Sequence, residues 1–189
     1  IPAIVEAWYP GQAGGQAIAD VLFGDYNPGA RLPVTFYKSV NDLPPFEDYN
    51  LTKQTYRYFK GEPLYPFGYG LSYSTFAYGN LAIEKTHKAG DEVELSVNVK
   101  NTGTRTGDEV VQVYLSHRNP KVRVPVRSLV QFQRITLKPG ESRTVELVLA
   151  PDAFATYNAR GEKSVAAGQF EIAVGGGQPG LKVGTFVTP

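Results

Sequence analysis

The chain has 189 residues, a formal net charge of +1, 42% hydrophobic and 20% charged residues, and neither cysteine nor methionine. This balance predicts a folded chain, gives no electrostatic reason to expect nucleic acid or an anionic membrane surface as a partner, and excludes disulfides and thiolate metal sites. No apolar run approaches the roughly 20 residues that span a bilayer. The chain lacks methionine and opens at Ile1-Pro2 directly into structural sequence with no signal peptide, so it reads as a fragment or processed piece.

In chain order, Ala3 to Tyr9 is a short apolar run closed by Pro10-Gly11, the pattern of a buried strand ending in a turn. Gln12 to Gly24 predicts a helix: Ala13, Ala17, Ile18, Val21 and Leu22 recur at three- and four-residue spacing, and Gly24 is placed as a stop. Arg31 to Tyr37 resumes a β pattern, with Pro33 arguing for an edge strand or a strand start. Strand, helix and strand in succession are the unit of a parallel α/β layer. Gly11, Gly14 and Gly15 open the helix, but their spacing fits neither a dinucleotide fingerprint nor a P-loop, and close helix–strand approach explains them better than phosphate does. Lys38 to Asn50 is a polar loop in which Phe46 and Tyr49 are the expected anchors; Asn50-Leu51-Thr52 matches a glycosylation acceptor and carries little weight.

The stretch from Thr55 to Tyr78 holds six Tyr and three Phe, nine of the chain's 23 aromatic residues in 24 positions. Pro63, Pro66, Gly61, Gly68 and Gly70 forbid a long helix or a central strand there. A turn-rich segment loaded with rings is expected to be a packed linker that clamps two bodies together, through Tyr56, Arg57, Tyr58, Phe59, Tyr65, Phe67, Tyr69, Tyr73 and Phe76.

Beyond it the texture changes. Leu81–Thr86, Asp91–Asn101, Gly107–Ser116, Ser128–Leu137, Arg143–Leu149, Gln169–Val174 and Val183–Val187 read as seven strands separated by Gly, Pro, Asn and Asp. That spacing predicts an antiparallel sandwich of fibronectin-type-III-like type, with Tyr114 and Phe132 facing its core. The expected fold is therefore mixed: residues 1–54 as the strand-helix-strand end of an α/β domain, 55–78 as linker, and 79–189 as β-sandwich. Residues 1–75 carry 5 basic and 7 acidic side chains, residues 76–189 carry 14 and 11, and the basic excess gathers around Lys121, Arg123 and Arg127, a loop able to meet an anionic partner.

Catalytic motifs are not found. His87 and His117 lack metal-ligand spacing, and neither a nucleophile elbow nor a HExxH zinc motif is present. The adjacent carboxylates Glu47-Asp48 and Asp108-Glu109 point in different directions on an extended chain, whereas a glycosidase holds two carboxyls across one bond.

The runs AWYPGQAGGQAIADVLFGDYNPGARLPVTFYKS (Ala7–Ser39), LPPFEDYN (Leu43–Asn50) and TYRYFKGEPLYPFGYGLSYSTF (Thr55–Phe76), in this order, resemble the C-terminal third of family 3 glycoside hydrolases, the β-glucosidases and β-xylosidases that end in a fibronectin-type-III-like domain. VKNTGTRTGDEVVQVYLS (Val99–Ser116), LVQFQRITLKPGES (Leu129–Ser142) and AAGQFEIAVGG (Ala166–Gly176) extend the similarity through the sandwich. The resemblance implies exo-acting, retaining hydrolysis of terminal non-reducing β-D-glucosyl or xylosyl residues. It places the nucleophilic Asp in a preceding barrel and the acid/base Glu in the α/β domain ahead of Ile1, so no catalytic residue maps here and Glu6 is declined. Trp8 and Tyr9 are the candidate substrate contacts, because flat apolar sugar faces stack on aromatic rings. No cofactor and no metal are implied. Expected partners are a β-linked oligosaccharide or aryl glycoside bound through the missing domains, with no nucleic acid or membrane; a homodimer is left open. A periplasmic or secreted setting is favoured, with a cytoplasmic one as the alternative. The competing reading is a carbohydrate-binding or dimerisation module without hydrolytic role. The family usually reads Asn-Pro-small-Gly-Arg-Leu-Pro where this chain has Gly29-Ala30 ahead of Arg31, so a different φ pattern is expected in that turn. Lys53-Gln54 likewise stands where the family often has Gly-Arg.

Overall fold

The structure, a computed structural model, describes residues 1–83, 86–165, 167–180 and 186–187. Two antiparallel sheets form a sandwich. One contains β1 (Phe76–Ile83), β2 (Val93–Asn101) and β5 (Ser142–Leu149) in the order β1-β2-β5; the other contains β3 (Gly107–Arg118), β4 (Ser128–Leu137), β8 (Gln169–Gly175) and β9 (Phe186–Val187) in the order β4-β3-β8-β9. A two-stranded hairpin, β6 (Thr156–Tyr157) with β7 (Lys163–Ser164), stands apart.

Period-two alternation decides the core. Val93, Leu95, Val97 and Val99 of β2 face Val111, Val113 and Leu115 of β3, with Ile135, Leu137, Val145, Leu147, Leu149, Ile172 and Val174 closing the cluster. Register is fixed by pairs such as Val97↔Val145 and Leu95↔Leu147, since a slip of one residue would turn every valine outward. Strands β2, β3, β4, β5 and β8 lie where the sequence puts them, to within two residues at either end, whereas the short β6 and β7 are not among the expected strands. The first begins earlier than expected, at Phe76, because a bulge between Gly79 and Ala82, with Asn80 at φ 53°, breaks the alternation there. Residues 84–85 and 183–185 of the expected strands lie outside the described residues.

Tyr114 is 1% exposed but is buried against Tyr56 rather than in the sandwich core, and Phe132 is 63% exposed, against expectation. The register shift at Val113/Tyr114 explains it. Apolar residues occupy positions 130 and 132 but also 135 and 137, two incompatible phases of one strand. Ile135 and Leu137 take the core, Val130 packs at the shift, and Phe132 falls opposite Gln112 on the outer face.

In the front part, α1 (Gly14–Phe23) ends at Gly24, whose φ of 84° lets its N–H reach the Val21 carbonyl. Gly14 needs space: a Cβ there would lie 2.4 Å from the Pro10 side chain. The flanking strands do not form. Residues 3–9 carry no ladder, and Trp8 sits at φ 53° with its N–H on Glu6. Residues 31–37 run beside 64–69, Leu32 and Phe36 donating their N–H groups to the carbonyls of Tyr69 and Tyr65, but only one bridge is made. Pro33 and Pro66 each remove a donor between those contacts, so no ladder propagates. Phe46 and Tyr49, expected as loop anchors, are 92% and 87% exposed. Gly29 has no left-handed φ; a Cβ there would lie 2.7 Å from the Asp108 Cβ, so room rather than backbone freedom selects glycine.

Candidate functional site

The polar and aromatic side chains that the chain removes from water converge on the seam between residues 1–75 and the β3 sheet. Glu109 occupies the core phase of β3, where a carboxylate cannot stay unpaired. Arg31 donates to it at 2.5 Å and also to the Gly176 carbonyl; the Tyr78 hydroxyl of β1 donates to the second carboxylate oxygen at 2.6 Å. Three chain segments thus share one charge. Burial pushes the Glu109 carboxyl above its ordinary pKa against the opposing pull of Arg31 and Tyr78, and burial pushes the Tyr78 phenol well up. Asp108, one residue earlier, faces the other way and accepts from Thr136 and Arg134, whose guanidinium also takes the Tyr26 hydroxyl. Burial would raise the Asp108 pKa, but those hydrogen bonds and the Arg134 charge hold it below.

Two amides complete the seam. Gln112 donates to the carbonyls of Gly68 and Gly176 and accepts from the Tyr114 hydroxyl. Asn27 accepts from the Ser72 hydroxyl and the Tyr73 N–H, and donates to the Thr106 carbonyl at 2.9 Å and the Ser74 hydroxyl at 3.3 Å. Each amide uses both its oxygen and its nitrogen, so the seam is specific in orientation as well as place.

The aromatic segment lies along it. Tyr56, in the short α2 (Thr55–Tyr58), stacks on Phe67 at 4.0 Å, meets Tyr114 edge-on, and accepts the Leu129 N–H on its hydroxyl. The Arg57 carbonyl accepts from Val126 while its side chain is exposed, and Tyr58 lies under Arg123. Phe59 meets Tyr37, and Tyr65 stacks on Tyr69 and touches Phe36; these contacts stay within residues 1–75. Tyr73 donates to the Val21 carbonyl and lies near Arg105, which reaches Gly24. Phe76 packs on the sandwich core. Trp8 and Tyr9 are 51% and 101% exposed and are not brought to the seam.

Sequence reasoning overlooked Asn27, Arg31, Glu109 and Gln112. The legible signal was Glu109, a carboxylate in phase with Val111, Val113 and Leu115. His117 stacks on Phe170 and leaves Nδ1 unpartnered. Among the described residues no group of three His, Cys, Asp or Glu side chains could hold a metal ion, and no helix is long and apolar enough to cross a membrane.

Comparison with known proteins places this geometry. The profile of the glycosyl hydrolase family 3 C-terminal domain matches residues 1–73, and that of the fibronectin type III-like domain matches residues 109–178. A xylan 1,4-beta-xylosidase of Xylanibacter ruminicola is 45% identical over 92% of this chain, and a periplasmic beta-glucosidase of Salmonella typhimurium is 40% identical over 97%. The chain spans only 20% and 26% of those two relatives. A Bifidobacterium adolescentis beta-glucosidase of known structure superposes with a TM-score of 0.84 at 32% identity, covering 97% of this chain and 29% of that one.

Proposed function

The chain belongs to the family 3 glycoside hydrolases, of which it is the C-terminal portion, and on that footing we propose that it serves an exo-acting, retaining β-glycosidase that releases terminal non-reducing β-D-glucosyl or xylosyl residues. Its own part is structural. Residues 1–54 complete the acid/base domain, residues 55–75 are the linker, and the docked sandwich begins with β1 at Phe76. The observation that carries this reading is the seam: its most buried carboxylate, Glu109, is committed to Arg31 and Tyr78 and is not free for proton transfer. Exposed apolar side chains support it as well. Ile4, Val5, Leu22 and Phe23 are each at least half exposed, a surface that suits a covering domain better than water. Trp8 and Tyr9 lie on the same front part and would edge the sugar site. The Salmonella relative's name supports a periplasmic setting.

The test uses nitrophenyl β-D-glucoside and β-D-xyloside. In the full length that its gene encodes, the protein turns over at least one of them with retention. The 189 residues alone, shown to be folded by circular dichroism, turn over neither. Activity of the folded short chain would overturn the structural role; a full-length protein inert to both substrates would overturn the hydrolase.

A further inference from the structure

A cleft of about 400 Å³ lies where the seam meets the basic loop. Phe59 and Lys60 follow α2, Val126 and Arg127 precede β4, and Gln178 follows β8. The cleft is held open by the Val126 N–H on the Arg57 carbonyl at 2.7 Å and by the Phe59–Tyr37 ring contact.

Its charges are unbalanced. Arg127 is half-buried and, among the described residues, has neither a carboxylate nor a hydrogen-bond partner; burial lowers its pKa from the ordinary arginine value. A guanidinium taken from water without an anion is costly, and buried cations are normally paired. Tyr114 lies close enough to act on Arg127, but burial pushes its phenol far up, so it stays neutral and supplies no counter-charge. Among the described residues the one carboxylate lining the cleft, Glu62, is held by Lys38 at 2.5 Å. Lys60 adds a second cation without an ion-pair partner among the described residues. Gln178 is 5% exposed and its amide oxygen is also unpartnered. A buried polar atom without a partner is rare in folded proteins, and the Gln178 oxygen lies in the same cleft as the half-buried Arg127 and the exposed Lys60.

We propose that this cleft binds a small oxyanion, the carboxylate of a sugar acid or a phosphate, with Arg127 as the anchoring cation, Lys60 as the second and Gln178 meeting a neighbouring hydroxyl. Arginine presents its N–H groups as a planar fork that matches either anion in two parallel bonds. The volume suits one monosaccharide-sized ligand rather than a chain.

The experiment is isothermal titration of the full-length protein with D-glucuronate and, separately, inorganic phosphate, with D-glucose in excess to occupy any neutral sugar site. One anion binds per chain and binding weakens with added salt. Arg127→Met weakens it about tenfold or more, Arg127→Lys retains part of it, and Lys138→Met, an exposed charge loss on the turn after β4, leaves it unchanged. Preference for glucuronate assigns a sugar acid, and preference for phosphate assigns a phosphate. Absence of binding for both anions, or equal binding by folded Arg127→Met, overturns the site.

Discussion

Arg31 and Glu109 stand 78 positions apart and meet at 2.5 Å, their side chains 10% and 4% exposed. A pair this buried gives no guarantee of net stability, because desolvation of both ions offsets their attraction. Its consequence is asymmetric: either partner alone is worse than neither. Glu109→Ala, which strands the guanidinium, should lower unfolding free energy by about 3–5 kcal/mol. Arg31→Met combined with Glu109→Leu should cost less than Glu109→Ala. Chemical denaturation of the variants measures this, and a double variant less stable than Glu109→Ala would refute the pairing argument.

The neighbours Asp108 and Glu109 should give opposite pH dependences. Glu109 is raised in the folded state above its ordinary 4.5, so its stabilising contribution is present at lower pH and is lost as pH rises through the raised value. Asp108 is lowered from 3.8, so its contribution is present above that pH and is lost as pH falls through the lower value. Glu109→Gln should therefore flatten the decline of stability above pH 4.5, and Asp108→Asn the decline below 3.8. Stability curves of both variants parallel to the parent would count against these environments.

Gly68 combines a φ of 76° with a crowded site: an added Cβ would lie 2.3 Å from the Gln112 amide oxygen and 2.6 Å from the Tyr114 hydroxyl. Gly68→Ala should cost about 2 kcal/mol or more. Gly11→Ala, with nothing within 4 Å, should stay within about 0.5 kcal/mol. Thermal unfolding of the two variants separates these outcomes.

Asn27→Asp keeps the acceptor for Ser72 and Tyr73 but sets a carboxylate oxygen against the Thr106 carbonyl. The loss expected is about 2 kcal/mol, and loosening of the loop ahead of β3 should show as faster amide exchange there. Unchanged exchange at Thr106 and Gly107 would argue that Asn27 does not hold the two parts together.

Phe132→Ser removes a large ring that is 63% exposed and should change stability by no more than about 0.5 kcal/mol. A loss of several kcal/mol would return Phe132 to the core.

Much was legible in the residues. The valine and leucine alternation in 93–101, 107–115 and 145–149 fixed strands and faces together, because side-chain direction on a strand follows position alone. Gly24 marked the end of α1 through its backbone freedom. Failures came where one segment depends on another. Residues 3–9 and 31–37 have strand composition, yet a strand exists only through a neighbour's N–H and C=O groups, and composition does not announce the neighbour. Phe132 failed for a related reason: two apolar phases compete in one strand, and the opposing strand chooses between them.

By itself, the sequence determined local periodicity, turn chemistry and family, since each is written in residues a few positions apart or in long continuous likeness. Tertiary structure alone decided that Arg31 neutralises Glu109, that Asn27 reaches Thr106, and that Arg127 is left without an anion. Those outcomes depend on where the folded path brings remote side chains and how much water it leaves between them, and no local pattern encodes either.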